Sequence, residues 1–151
     1  MLKEINTEGL EYLYHEGELY SIVLRGTFTS DSISFFTPDS FSQQLGYLPH
    51  KKGNVIKPHK HKVNRREILY TQEVLFMKKG MLKVNFYKDE KNYIGSETVG
   101  EGDIILLCGG GHGFEILEDA IMIEIKQGPY MGLDDKVKFD GVEKVRNDTG
   151  K

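Results

Sequence analysis

Through most of this chain apolar residues recur at every second position, a period that a strand can divide between two faces and a helix cannot. Leu82, Val84 and Phe86 alternate with Lys83, Asn85 and Tyr87 within Met81 to Lys88. Asp89-Glu90-Lys91-Asn92 then turns the chain into Tyr93 to Val99, which predicts a β-hairpin. Leu10 to Tyr14 and Leu19 to Arg25 flank His15-Glu16-Gly17-Glu18, a polar stretch with the length and the glycine of a hairpin loop. Ile121, Ile123 and Ile125 alternate with Met122, Glu124 and Lys126. In all, about ten strand-like segments recur at spacings typical of a sandwich or barrel. A helical stripe is missing from every segment longer than about ten residues, so helices are expected only as short turns near Pro38-Asp39-Ser40 or in the tail. The predicted class is all-β.

Length and composition narrow this picture to one domain. A chain of 151 residues supports a single core, expected over roughly residues 40–130, with the charged, glycine-containing stretch 140–151 as a terminal tail. Hydrophobic residues at 38% and charged residues at 28% are ordinary for a globular domain. A net charge of −3 with a pI near 6.0 speaks against nucleic acid as a partner, because its binders concentrate Lys and Arg on one face. The single cysteine, Cys108, cannot form a disulfide framework, and MLKEINTEGLEY lacks the layout of a signal peptide. Apolar runs such as Ile104 to Cys108 fall far short of the roughly 20 residues of a membrane helix. A soluble, cytoplasmic protein with no membrane partner is expected.

Candidate chemistry lies in two stretches. In Gly53-Asn54-Val55-Ile56-Lys57-Pro58-His59-Lys60-His61 the two histidines, read as part of a strand, project from one face and can reach one ion. Two exposed polar residues on an edge strand, beside Lys57, Lys60 and Lys62, are the competing reading. Glu73 heads the run Val74-Leu75-Phe76-Met77 before Gly80. Strand parity groups Glu73 with Leu75 and Met77, so its carboxylate faces inward, which is costly unless it is paired or bound to metal. Glu67 shares that parity and is the alternative carboxylate. In the second stretch, Gly102-Asp103 leads through Ile104 to Cys108 into Gly109-Gly110-Gly111-His112. The glycines permit a tight turn that brings His112 back toward the same interior. As a phosphate cradle the triplet lacks both the Gly-Lys-Ser/Thr ending and the Gly-x-Gly-x-x-Gly spacing. Three histidines and one carboxylate suit one divalent ion, iron, manganese, nickel, cobalt or zinc, with positions left open for water or substrate.

Gly53-x5-His59-x-His61 followed by Glu73-x6-Gly80 resembles the first motif of the cupin superfamily, and Gly102-Asp103 through His112 resembles the second. The resemblance spans about 60 residues in the middle of the chain. It implies a double-stranded β-helix barrel of jelly-roll type with extra amino-terminal strands, a homodimer, and His59, His61, Glu73 and His112 as metal ligands. The ending Lys126-Gln127-Gly128-Pro129-Tyr130, with Asp134-Asp135-Lys136 beyond, also resembles sugar-modifying cupins of bacterial polysaccharide pathways.

Fold does not select the activity, and three functions stand open. The first is an isomerase or epimerase of a small oxygenated, carbohydrate-like substrate, whose metal polarises a carbonyl or binds an enediolate. Its candidate helpers are Lys126, Glu124 and Tyr130, with Arg65 and Arg66 able to hold a phosphate or carboxylate. The second is an iron-dependent dioxygenase, and the third a sugar or small-acid binding module. A homodimer is expected to form by pairing of the amino-terminal segment, Leu19 to Arg25 included, across a two-fold axis.

Overall fold

The structure is a computed structural model that describes residues 2–141. It is all-β and antiparallel, with one 3-10 turn at Gly132–Asp135. The strands are β1 (Leu2–Thr7), β2 (Leu10–His15), β3 (Glu18–Leu24), β4 (Ser34–Phe35) and β5 (Gly46–Tyr47). They continue as β6 (Glu73–Lys79), β7 (Met81–Asp89), β8 (Asn92–Gly100), β9 (Ile104–Leu107), β10 (Gly111–Ile116) and β11 (Ile121–Lys126). Both predicted hairpins form, as β2–β3 and β7–β8. β1 is an additional strand, in a segment without apolar alternation, that the turn-based reading passed over.

Two sheets face each other. The larger has the order β1-β2-β3-β9-β6-β11, and the smaller β10-β7-β8. Leu13, Val23, Leu75, Met77, Ile105 and Leu107 of the first meet Leu82, Val84, Phe86 and Val99 of the second, which makes a sandwich core from one inward row per strand. A shift in the β2–β3 register between Leu13 and Tyr14 accommodates Tyr20 as an extra residue. Tyr20 therefore joins the inner core while its neighbours Leu19 and Ile22 pack outside. On that outer side Ile22, Leu24, Leu106 and Cys108 are covered by Phe28, Phe36, Leu45 and Tyr47, carried by the segment that holds the small β4–β5 ladder. Gly80 makes the β6–β7 turn at φ +80°, where a Cβ would collide with the Asp119 carbonyl, so the glycine that ends the first motif is sterically required.

Two expectations are corrected. Leu19 to Arg25 has no free edge for pairing across a two-fold axis, because β3 is hydrogen-bonded on one edge to β2 and on the other to β9; of the amino-terminal segment it is β1 that lies at the edge of the sheet. The stretch holding His59 and His61 is not a strand: residues 48–72 have no strand or helix, and every residue from His50 to Thr71 is exposed. Local chemistry explains this. Pro58 cannot donate to a ladder, and Lys51, Lys52, Lys57, Lys60, Lys62, Arg65 and Arg66 are opposed within this arm by Glu67 alone, so like charges repel along it.

Candidate functional site

Glu73 opens β6 with its side chain inward, opposite Leu107 on one flank and Lys126 on the other. Only 7% of the residue is exposed. Such a carboxylate must be compensated, and its partner is His112, whose Nε2 lies 3.2 Å from Glu73 Oε2. The pairing follows from register. His112 sits across from Phe86 on β10 and thus shares the inward face of the smaller sheet. Gly110, at φ +69°, allows the chain to double back there, since a Cβ at that position would run into the Tyr20 ring. The hydrogen bond from His112 holds the Glu73 carboxyl below the usual carboxylate range against the opposing effect of burial, and Lys136 and Lys126 add to it. With Glu73 ionised, Nε2 carries the hydrogen that it donates, and Nδ1 is the second ring nitrogen, not engaged by Glu73.

Lys126 approaches the other Glu73 oxygen at 3.9 Å and lies 3.2 Å from Glu124 Oε1 and 4.0 Å from Asp135 Oδ2. Glu124 foremost, then Glu73 and Asp135, raise the Lys126 pKa and keep it an ammonium. Of the predicted helpers, Lys126 thus stands at the pair, Glu124 reaches it only through Lys126, and Tyr130 faces solvent at 82% exposure.

Glu73 and His112 line a cleft of about 800 Å³ together with Arg66, Gly109–Gly111, Gln127–Pro129 and Asp134–Lys136. A second hollow, of about 660 Å³ between Asn6, Thr27 and Phe36, contains Glu8 but neither a histidine nor a lysine, so the cleft at Glu73 is where acid–base groups converge. Asp135 accepts a hydrogen bond from Thr71 Oγ1 at 3.1 Å. The Gln127 side chain accepts from the Gln72 backbone at 2.7 Å and donates to Ser42 at 2.8 Å. These three hydrogen bonds frame the cleft. Gln127 and Asp135 both belong to the ending quoted for its family resemblance, Lys126-Gln127-Gly128-Pro129-Tyr130 with Asp134-Asp135-Lys136 beyond, in which neither was given a role.

Of the four predicted metal ligands, Glu73 and His112 are brought together. His59 and His61 have ring centroids 5.5 Å apart, but they lie on the exposed arm, where the His59 ring meets the Lys57 carbonyl at 3.0 Å. Among the described residues no three His, Cys, Asp or Glu side chains converge as a metal-holding group. Among the described residues β10 is hydrogen-bonded only to β7, and β11 only to β6, so the sandwich is open along that side. Phe114 and Ile116, which share the inward face with His112, are 39% and 56% exposed there. No protein-family model, curated protein or solved structure matches the chain, so what the cleft can do is argued from its own geometry.

Proposed function

We propose that this protein is an isomerase or epimerase of a small, oxygenated, carbohydrate-like substrate, with Glu73 and His112 as its proton-transfer pair. The observation that carries this reading is the buried carboxylate bonded to an imidazole at the wall of a cleft. A carboxylate that binds one ring nitrogen orients the imidazole and stabilises its protonated form, which leaves the second nitrogen to act as base. In the proposed reaction His112 Nδ1 takes a proton from the carbon beside a substrate carbonyl, and the C–H electron pair becomes the enolate. Return of that proton to the same carbon from the opposite face completes epimerisation; return to the former carbonyl carbon, with the hydroxyl proton of the adjacent oxygen passing to the former carbonyl oxygen, completes isomerisation. Lys126 acts through Glu73, holding it ionised. Arg66 and Lys136, which line the cleft, offer donors to substrate oxygens.

The barrel and metal readings are a second arrangement of the same site, in which Glu73 and His112 serve as ligands and not as the proton-transfer pair. The β10-β7-β8 sheet facing β9-β6-β11 fits a double-stranded β-helix that lacks wall strands beside β10 and β11. The arm has the length to supply them. Pairing of the arm with the free edge of β10 would bring His59 and His61 toward His112 and Glu73, a three-histidine, one-carboxylate donor set suited to a borderline divalent ion. Such an ion would polarise the substrate carbonyl as a Lewis acid.

The test is deuterium wash-in from D2O into a panel of keto and aldo sugars, read by NMR. Exchange by the wild type that falls about 10²-fold or more in His112→Asn and in Glu73→Gln supports proton transfer by this pair. Equal exchange in wild type and variants, or consumption of oxygen in place of exchange, would overturn it.

A further inference from the structure

Where the covering segment meets β1 and β2, the outer face of the six-stranded sheet holds a groove. The hollow of about 660 Å³ between Asn6, Thr27 and Phe36 adjoins another of about 470 Å³ between Glu4, Tyr14 and Pro38, and the two share Asn6, Tyr12 and Phe36 as lining. No residue of either hollow lines the Glu73 cleft. Aromatic surface runs along the groove. Tyr12 and Tyr14 stand two apart on β2 and so share a face, with ring planes only 18° apart and centroids separated by 6.4 Å. The Tyr12 hydroxyl donates to the Phe36 carbonyl at 3.0 Å, which fixes that ring. Phe35 is 59% exposed, yet it too is held: it crosses its ladder partner Gly46, where a Cβ would come within 2.8 Å of the ring. Exposed rings pinned in this way lose little freedom when a ligand packs on them. Asn6, Thr7, Thr27 and Thr29 add short neutral donors and acceptors, Glu4 and Glu8 add carboxylates, and no lysine, arginine or histidine lines either hollow.

We propose that this groove binds a neutral oligosaccharide. The C–H faces of sugar rings pack against Tyr12, Tyr14 and Phe35, while sugar hydroxyls donate to the carboxylates and exchange hydrogen bonds with the carboxamide and the threonine hydroxyls. Charge argues against an anion, because two carboxylates without a cation repel a phosphate or a uronate. Size argues against a lone ammonium ion, which would fill neither hollow and would leave the hydroxyls and the carboxamide without partners. Two joined hollows suit a ligand of several linked rings. The groove stands apart from the reaction proposed at Glu73 and does not depend on it.

The experiment is titration of the isotope-labelled full chain with maltotriose, cellotriose and chitotriose, with glucuronate and choline as controls, read from the backbone amide resonances. Saturable shifts at Asn6, Tyr12, Tyr14 and Phe35 with at least one trisaccharide are the expected result. Binding should weaken about tenfold in Tyr14→Ala and in Phe35→Ala, with the amide spectrum away from the groove unchanged as the check that both variants fold. His112→Asn should bind the sugar as the wild type does, which separates the groove from the cleft. Absence of saturable shifts with all three sugars, shifts centred on Gly110 and His112 instead, binding undiminished in both folded variants, or saturation by glucuronate or choline in place of the sugars would overturn the proposal.

Discussion

Cys108 sits at the end of β9 against the outer apolar cluster, 8% exposed, with its Sγ 3.7 Å from the Leu106 carbonyl. Burial pushes its thiol up to about 12, so at neutral pH almost no thiolate is present to react. Iodoacetamide should therefore leave the native protein unlabelled for hours and modify it fully once it is unfolded in guanidinium. Rapid labelling of the native chain, read by intact mass, would mean that the cover over β9 opens readily. Glu73 is the contrasting case at the same scale. It is as buried as Cys108 but has His112 and Lys126 to meet its charge, so burial there leaves an ionised group, not a silenced one.

Elements are tied together by one guanidinium. Arg25, just past β3, bonds Glu11 on β2 at 2.7 and 3.1 Å, Glu97 on β8 at 2.6 Å, and Asp103 before β9 at 2.9 Å. Asp103 in turn accepts from the Gly26 and Gly100 backbone amides at 2.9 and 3.0 Å, which closes the turn into β9 and locks it to the end of β3. Desolvation raises the Glu11 pKa, but the hydrogen bonds from Arg25 and Lys3 outweigh it, and the carboxyl ends below its usual range. A carboxylate depressed in the folded state adds stability that is fully present above its unfolded value and is lost as pH falls through the depressed one. The melting temperature should accordingly drop as pH is lowered from neutral through the carboxylate range. Arg25→Met should cost about 3 kcal/mol at neutral pH by leaving three carboxylates without their common partner, and its melting curve should be flatter against pH. An equally steep pH profile in Arg25→Met would remove Arg25 as the source.

For the molecule as a whole, the open side between β10 and β11 and the exposed arm are two halves of one question. Seven basic residues make the arm a ready trypsin substrate. If the arm closes on β10 around an ion held by His59, His61, Glu73 and His112, stoichiometric divalent metal should slow cleavage between residues 51 and 66 about tenfold or more. Protection should vanish in His59→Ala and His61→Ala and persist in Glu67→Ala. Elemental mass spectrometry of protein purified without added metal should follow the same order. Unchanged cleavage with every metal tried would separate the arm from the cleft and leave the Glu73–His112 pair to act alone.

Where side-chain alternation meets a turn signal, the elements were legible in the sequence. Leu82, Val84 and Phe86 before Asp89-Glu90-Lys91-Asn92 could only be one strand of a hairpin, and Glu73 in step with Leu75 and Met77 could only face inward, because a period of two leaves a strand one choice of face. The glycines at 80 and 110 were legible for a steric reason of the same local kind. The arm was misread because a His-x-His spacing satisfies strand geometry wherever it occurs, while Pro58 and the run of lysines withhold the ladder that would make it a strand. Pairing across the sheets was beyond any local pattern. That His112 meets Glu73, that Lys126 stands beside them through register with β6, and that Arg25 gathers Glu11, Glu97 and Asp103 all depend on contacts that no local pattern states. Alternation along a strand states which way each side chain points. Which side chain it meets is decided only when the sheets close on one core.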